Sequence, residues 1–159
     1  MDDDSIIARI TASRKAALAA ISIAGGYSFT PDIVEEERLV FNLKGKKHFI
    51  RLIKLDASVV VEDNAVDQTK IPYLVETYVT GSDEETSDDE IVYQNRNVNA
   101  DIIKAWMVDR TCGGLVDISE SVGFVDGVQE DSKGNRIYCA VNGFELTARI
   151  DSNDPYLHG

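Results

Sequence analysis

Arg136-Ile-Tyr-Cys-Ala-Val-Asn-Gly-Phe-Glu-Leu-Thr-Ala-Arg-Ile150 decides the fold class. Apolar residues alternate along it with a period of two, the signature of a half-buried strand. Ile137, Cys139 and Val141 take one parity, and Phe144, Leu146, Ala148 and Ile150 take the other. The phase slips at Asn142-Gly143, which predicts a β-bulge at Gly143. Such a strand needs partners. Ile71 to Thr80 supplies one, with Ile71, Tyr73, Val75, Thr77 and Val79 alternating against Pro72, Leu74, Glu76, Tyr78 and Thr80. Pro72 lacks an N–H, so it predicts an edge strand or a strand start. Further strands are expected at Leu39 to Phe41, His48 to Leu55, Val59 to Val61 and Val116 to Val125. Turns are expected at Lys44-Gly45-Lys46-Lys47 and over Gln129 to Asn135.

Two segments carry helical spacing instead. From Ser5 to Ala24, Ile6, Ile10, Ala17, Ile21 and Ala24 fall on one face, with Ser13 among them. On this reading Arg9, Arg14 and Lys15 point elsewhere, Asp4 or Ser5 is the N-cap, and Gly25-Gly26 stops the helix. The second helix is expected over Val98 to Asp109, with Asn97 or a neighbouring Asn as cap and Val98, Ile102, Ala105 and Trp106 facing inward. It ends at Thr111-Cys112-Gly113-Gly114, where glycine tolerates positive φ. Asp109, Thr111, Gly113 and Gly114 are expected to fix that turn. Asp83 to Glu90 reads as a flexible acidic loop, and Ser152 to Gly159 as a polar surface tail.

The order helix, strands, helix, strands implies an α+β fold: a mixed, mostly antiparallel sheet with two helices packed on it. At 159 residues the chain fits one domain, 1–159, with enough length to bury its own core.

Charge narrows the function. Sixteen basic residues against 28 acidic ones give −12, a poor balance for gripping phosphates or an anionic membrane. The acidic start Met1-Asp2-Asp3-Asp4 is unlike a signal peptide, and no apolar run approaches membrane-spanning length. Cys112 and Cys139 read as free thiols of a reducing compartment. A cytoplasmic origin follows from these signs.

The motifs of chemistry are not evident. The cysteines lack a second ligand at metal spacing, His48 and His158 are isolated, and the acidic loop lacks the pattern of a calcium loop. Cys112 stands near a helix C-terminus, whose negative end raises a thiol pKa. Neither Gly-Gly pair is followed by the Lys-Ser/Thr of a phosphate loop. The expectation is no enzyme, no metal and no cofactor. The interface candidates are the basic cluster Lys44, Lys46, Lys47, Arg51 and Lys54, with His48 beside it, and the acids Asp83, Glu84, Glu85, Asp88, Asp89 and Glu90. Opposite patches on one chain favour head-to-tail association.

Four segments in order carry a resemblance: a helix ending in Ile23-Ala24-Gly25-Gly26-Tyr27, a strand from Tyr73 to Gly81 running into an acidic loop, a helix ending in Asp109-Arg110-Thr111-Cys112-Gly113-Gly114-Leu115, and a last strand closing near Asp154-Pro155-Tyr156. Together they cover most of the chain, and they resemble the tail-terminator (minor tail protein U-like) family of long-tailed bacteriophages. Cys112 stands where Leu is more usual in that family.

The resemblance implies a virion structural protein, built in the host cytoplasm and placed in the tail or neck. It implies a homo-oligomeric ring, usually a hexamer, that caps the tail tube, ends its growth and meets the head connector or stopper protein. Genome DNA would pass through the lumen without specific binding. Six copies at −12 place roughly −72 on such a ring before screening, a charge that repels a DNA backbone. The alternatives are an acidic DNA mimic that inhibits a nucleic-acid-binding enzyme, a neighbouring neck ring protein, and a hydrolase working through a perturbed carboxylate.

Overall fold

A computed structural model describes residues 4–36, 48–63, 66–80, 88–130, 136–151 and 154–155. In chain order the elements are α1 (Ile6–Ala19), a short 3-10 turn (Ile23–Gly25), β1 (Ile33–Glu36), β2 (His48–Lys54), β3 (Ser58–Asp63), β4 (Val66–Thr80), α2 (Asp88–Met107), β5 (Ile118–Glu130) and β6 (Arg136–Asp151). The strands form one sheet in the order β1-β2-β4-β6-β5, with β3 also paired to β4. The β1–β2 pair is parallel and every other pair is antiparallel. The fold is α+β. Both helices lie on one face, α1 over β1 and β2, α2 over β6, β5 and β4. The expected strand at Leu39 to Phe41 and the turn at Lys44 to Lys47 lie outside the described residues.

β4 and β6 are the spine, paired from Val66↔Asp151 to Thr80↔Ile137 without a register shift. Pro72 therefore sits in the middle of a central strand, against the expectation of an edge or a start. The other side of β4 explains it. β3 pairs with β4 only as far as Lys70, and β2 begins at Tyr73. The Pro72 carbonyl accepts from Leu55 N–H at 2.9 Å across this junction. A residue's N–H and C=O point to the same side of a strand. The missing donor thus falls where one ladder has ended and the next has not begun.

The expected bulge is also relocated. β6 keeps one phase throughout, burying Tyr138, Ala140, Asn142, Phe144, Leu146, Ala148 and Ile150. Ile137, Cys139 and Val141 face the opposite side. The register shift lies in β5 between Ser121 and Gly123, so Val122 is the extra residue and Gly123 takes φ 130°. Gly143 is the residue opposite. A Cβ built there would stand 2.9 Å from Val122 Cγ2.

Both helices differ in extent from their sequence reading. α1 ends at Ala19, five residues short of Ala24, and Gly25-Gly26 instead close the 3-10 turn. Ser22 caps that turn, its Oγ accepting from Gly25 N–H at 3.0 Å, and Gly26 is left-handed at φ 86°. At the other end Ser5 Oγ accepts from Ala8 N–H, and Ile6 N–H donates to Pro155 C=O. α2 begins ten residues before Val98, so Asn97 is internal and not a cap. Asp88, Asp89 and Glu90, expected in an acidic loop, are instead its first residues.

The core is organised on Trp106. Its ring stacks on Phe144 at 4.2 Å and meets Tyr73 edge-on at 5.6 Å, and its Nε1–H donates to Ser119 Oγ at 3.1 Å. Arg14 completes the group from α1, against the expectation that it points elsewhere. It is 1% exposed and lies on the buried stripe Ile6, Ile10, Arg14, Leu18. Its Nη1 donates to Trp106 C=O at 2.6 Å, Nη2 to Ser13 Oγ at 3.1 Å, and its guanidinium lies 5.4 Å from the Trp106 ring centre. That carbonyl belongs to the last turn of α2, where a cation offsets the negative helix end. Tyr73 OH and Thr11 Oγ1 share a hydrogen bond of 2.7 Å, a second tie between α1 and the sheet.

Candidate assembly surface

Asp109, Thr111, Gly113 and Gly114 meet in one turn after α2. Asp109 Oδ1 accepts from Thr111 N–H and Oγ1–H at 3.2 and 3.0 Å, and Oδ2 accepts from Gly113 N–H at 2.8 Å. Thr111 Oγ1 accepts from Gly114 N–H at 3.2 Å. Cys112, Gly113 and Gly114 are left-handed in succession, at φ 50°, 70° and 92°. This shape turns several N–H groups inward on one anion, and Asp109 is that anion. Slight burial pulls its carboxyl upward, but the hydrogen bonds from Gly113 and Thr111 outweigh it and hold the pKa below the ordinary aspartate value. The turn is thereby occupied by its own side chain.

Neither thiol is activated. Burial pushes Cys112 up, although Arg14 and Ser13 pull the other way. Burial and then the Glu76 carboxylate push Cys139 up. Among the described residues no group of three His, Cys, Asp or Glu is placed to hold a metal ion.

Only part of the two charge clusters falls among the described residues. Lys44, Lys46, Lys47, Asp83, Glu84 and Glu85 lie outside the described residues. Asp88, Asp89 and Glu90 belong to α2. Arg51 turns away from the helices and is held in the sheet by Glu76, whose Oε2 lies 2.8 Å from Arg51 Nε and 2.6 Å from Nη2. Tyr78 OH donates to the same oxygen at 2.7 Å. Arg51 thus balances a half-buried carboxylate. Lys54 donates to Leu55 C=O at 3.2 Å. The loop after α1 is fastened to α2: Asp101 accepts from Ser28, and Lys104 donates to Gly26 C=O while lying 4.4 Å from the Tyr27 ring centre.

Sequence reading missed the surface with the plainest physical signature. β5 is an edge strand, and Ile118, Val122, Phe124 and Val125 on it are between 51 and 71% exposed. They are half of the large apolar side chains standing in solvent among the described residues. Alternation in the sequence marked β5 as a strand but could not show that, among the described residues, no strand pairs with its outer side. Ile118, Val122 and Val125 stand on the face away from the helices and Phe124 on the helix-bearing face, and exposed apolar side chains along an edge mark an interaction surface or an aggregation hazard.

The architecture defines a two-layer α+β protein with one apolar sheet edge. No protein-family model matches the chain, and no curated protein matches it. No described helix is long and apolar enough to cross a membrane.

Proposed function

We propose that the chain is a structural assembly subunit, the ring-forming tail terminator of a long-tailed phage. It caps the tail tube, ends its growth and presents a surface to the head connector or stopper. The observation that carries this reading is the set of exposed apolar side chains on edge strand β5, Ile118, Val122 and Val125 on one face and Phe124 on the other. A chain at −12 repels its own copies, and burial of apolar area is the force that overcomes such repulsion at short range. The order of segments resembling the tail-terminator family supports the same reading. The acidic charge suits a ring through which DNA passes without sticking.

The test is mass in solution by light scattering, over a range of protein concentrations and at two salt concentrations, alone and with tail-tube protein. A ring of roughly six chains of 17.5 kDa, alone or on the tube, is expected. A persistent monomer that ignores tube protein refutes the reading and favours an acidic DNA mimic.

A further inference from the structure

Beneath α2 the core changes character. Val75, Ile102, Trp106 and Phe144 belong to the main apolar cluster, whereas Val79 and Tyr138 form a separate one. Three polar residues lie between the two. Thr77 and Asn142 are fully buried on the helix-bearing face of β4 and β6, and Asn99 of α2, 2% exposed, meets them there. Asn142 Nδ2 donates to Asn99 Oδ1 at 2.7 Å, a bond that uses one end of each amide. Asn99 Nδ2, Asn142 Oδ1 and Thr77 Oγ1 are buried with no hydrogen-bond partner among the described residues. Exchanging O and N in both amides leaves the same set: one amide donor, one carbonyl acceptor and one hydroxyl. A buried polar group without a partner is costly, and native proteins rarely leave one. The ladder brings these atoms to one place. Val75 faces Asn142 and Thr77 faces Ala140, so Thr77 is the diagonal neighbour of Asn142. Diagonal neighbours stand about 7–8 Å apart, a span that two short side chains cross through one bridging molecule. Ala140, fully buried opposite Thr77, has only a methyl group to fill the space beneath α2.

We infer that Thr77, Asn99 and Asn142 form a binding site for one internal water molecule. The chemistry of the three atoms selects this ligand. A water both donates and accepts, so it donates to Asn142 Oδ1, accepts from Asn99 Nδ2 and takes either role with Thr77 Oγ1. Three hydrogen bonds are the usual number for a buried water. A cation would be matched by the Asn142 carbonyl and opposed by the Asn99 amino group. An anion would meet the reverse, and an apolar guest would leave all three atoms unpaired. The site joins three elements at one point. The Asn99–Asn142 bond fixes where α2 lies along β6, and the water ties the same two amides to Thr77 on β4. Apolar contacts on either side of this belt give attraction without direction, whereas hydrogen bonds that must all be met hold α2 at one position on the sheet.

A high-resolution crystal structure of the full chain is the direct test. Density for a water within hydrogen-bond reach of all three atoms is expected. Thr77→Val tests the same site in solution by urea unfolding, because it exchanges the hydroxyl for a methyl group of similar shape. The sign of the change separates a wet site from a dry one. Around a bound water the substitution removes a hydrogen bond and leaves the water one partner short. The unfolding equilibrium constant should then rise about fivefold. In a dry site the substitution replaces an unpaired hydroxyl by an apolar group on a strand, which stabilises the fold. A crystal structure in which the three atoms are dry, or in which a water reaches fewer than all three, overturns the inference. So does a Thr77→Val variant as stable as the wild type or more so. If Thr77→Val does not fold, the wild-type crystal structure decides alone. Neither measurement depends on ring formation, so failure here leaves the ring-forming reading untouched.

Discussion

Replacing Arg14 probes the join between α1 and α2 directly. The guanidinium is buried and pairs with no carboxylate among the described residues; it holds the Trp106 carbonyl and Ser13 and lies against the indole. A hydrogen bond from a charged donor contributes ~1.5–3 kcal/mol. A cation at a helix C-terminus adds ~0.3–1 kcal/mol, and up to ~2 when partly buried. Contact with the indole face adds ~0.5–2 kcal/mol. Against these stands the desolvation of a buried charge, several kcal/mol, which cancels most of the sum. Arg14→Met keeps the apolar stem and removes both the charge and its desolvation cost, so a loss of about 1–2 kcal/mol is expected. Arg14→Ala also empties the space of the stem and should lose about 3–4 kcal/mol. Urea unfolding followed at 222 nm measures both, with equal m-values required for the comparison. Trp106 is the chain's one tryptophan, so its emission reports the guanidinium's removal separately. An Arg14→Met variant as stable as wild type, or Arg14→Ala costing under ~0.5 kcal/mol, would refute the capping argument.

The bulge gives a second test: Gly143→Ala places Cβ 2.9 Å from Val122 Cγ2 and should cost about 1–2 kcal/mol, most of it returned by Val122→Ala, and additive losses would contradict the clash. Alkaline pH gives a third. Burial, eased by the Thr11 hydrogen bond, pushes Tyr73 up to about 12 from its ordinary value near 10. Between these values the unfolded chain has released the proton and the folded one has not, so stability falls as pH rises. Tyr73→Phe should flatten that fall, and an unchanged slope in urea unfolding from pH 9 to 12 would count against it. Asp109 works in the opposite sense. Its lowered pKa stabilises the turn above the unfolded value and loses that effect as acid protonates it. The Gly113 amide should therefore lose protection, measured against its intrinsic exchange rate, only as pH falls below the ordinary aspartate value, and Asp109→Ala should show the unprotected rate at neutral pH.

Much of the sheet was legible because period-two alternation survives wherever one face is buried. Ile71, Tyr73, Val75, Thr77 and Val79 share the core face of β4 as their spacing requires. The misreadings fall where a polar residue occupies a core position. Asn142, fully buried and donating to Asn99 Oδ1 at 2.7 Å, breaks the apolar pattern of β6 and imitates a phase slip. Arg14 lies four residues from both Ile10 and Leu18, so the spacing placed it inward and only its charge argued otherwise. β1 is four residues long and pairs in parallel with β2, an association that no local pattern encodes. The early start of α2 was hidden because three acids in a first turn look like a solvated loop. The β5 surface was hidden for another reason: exposure depends on strand order, and a sequence does not state which strand is last.

α1 is held from one side only. A surface helix ordinarily keeps its outer face charged, and i,i+4 ion pairs help to hold it. α1 needs neither, since alanine has the highest helix propensity and α1 takes its anchorage from Arg14, Ile10 and Leu18 beneath. Its outward face is therefore free of structural duty, and flat. Substitutions at Ala8, Ala12 or Ala16 should leave unfolding within about 0.5 kcal/mol of wild type. Substitutions at Arg14 should do the reverse, lowering stability while leaving the outward surface as it was. If Ala12→Trp were to lower stability as much as Arg14→Ala, the outward face would be part of the core, and the one-sided anchorage of α1 would fail.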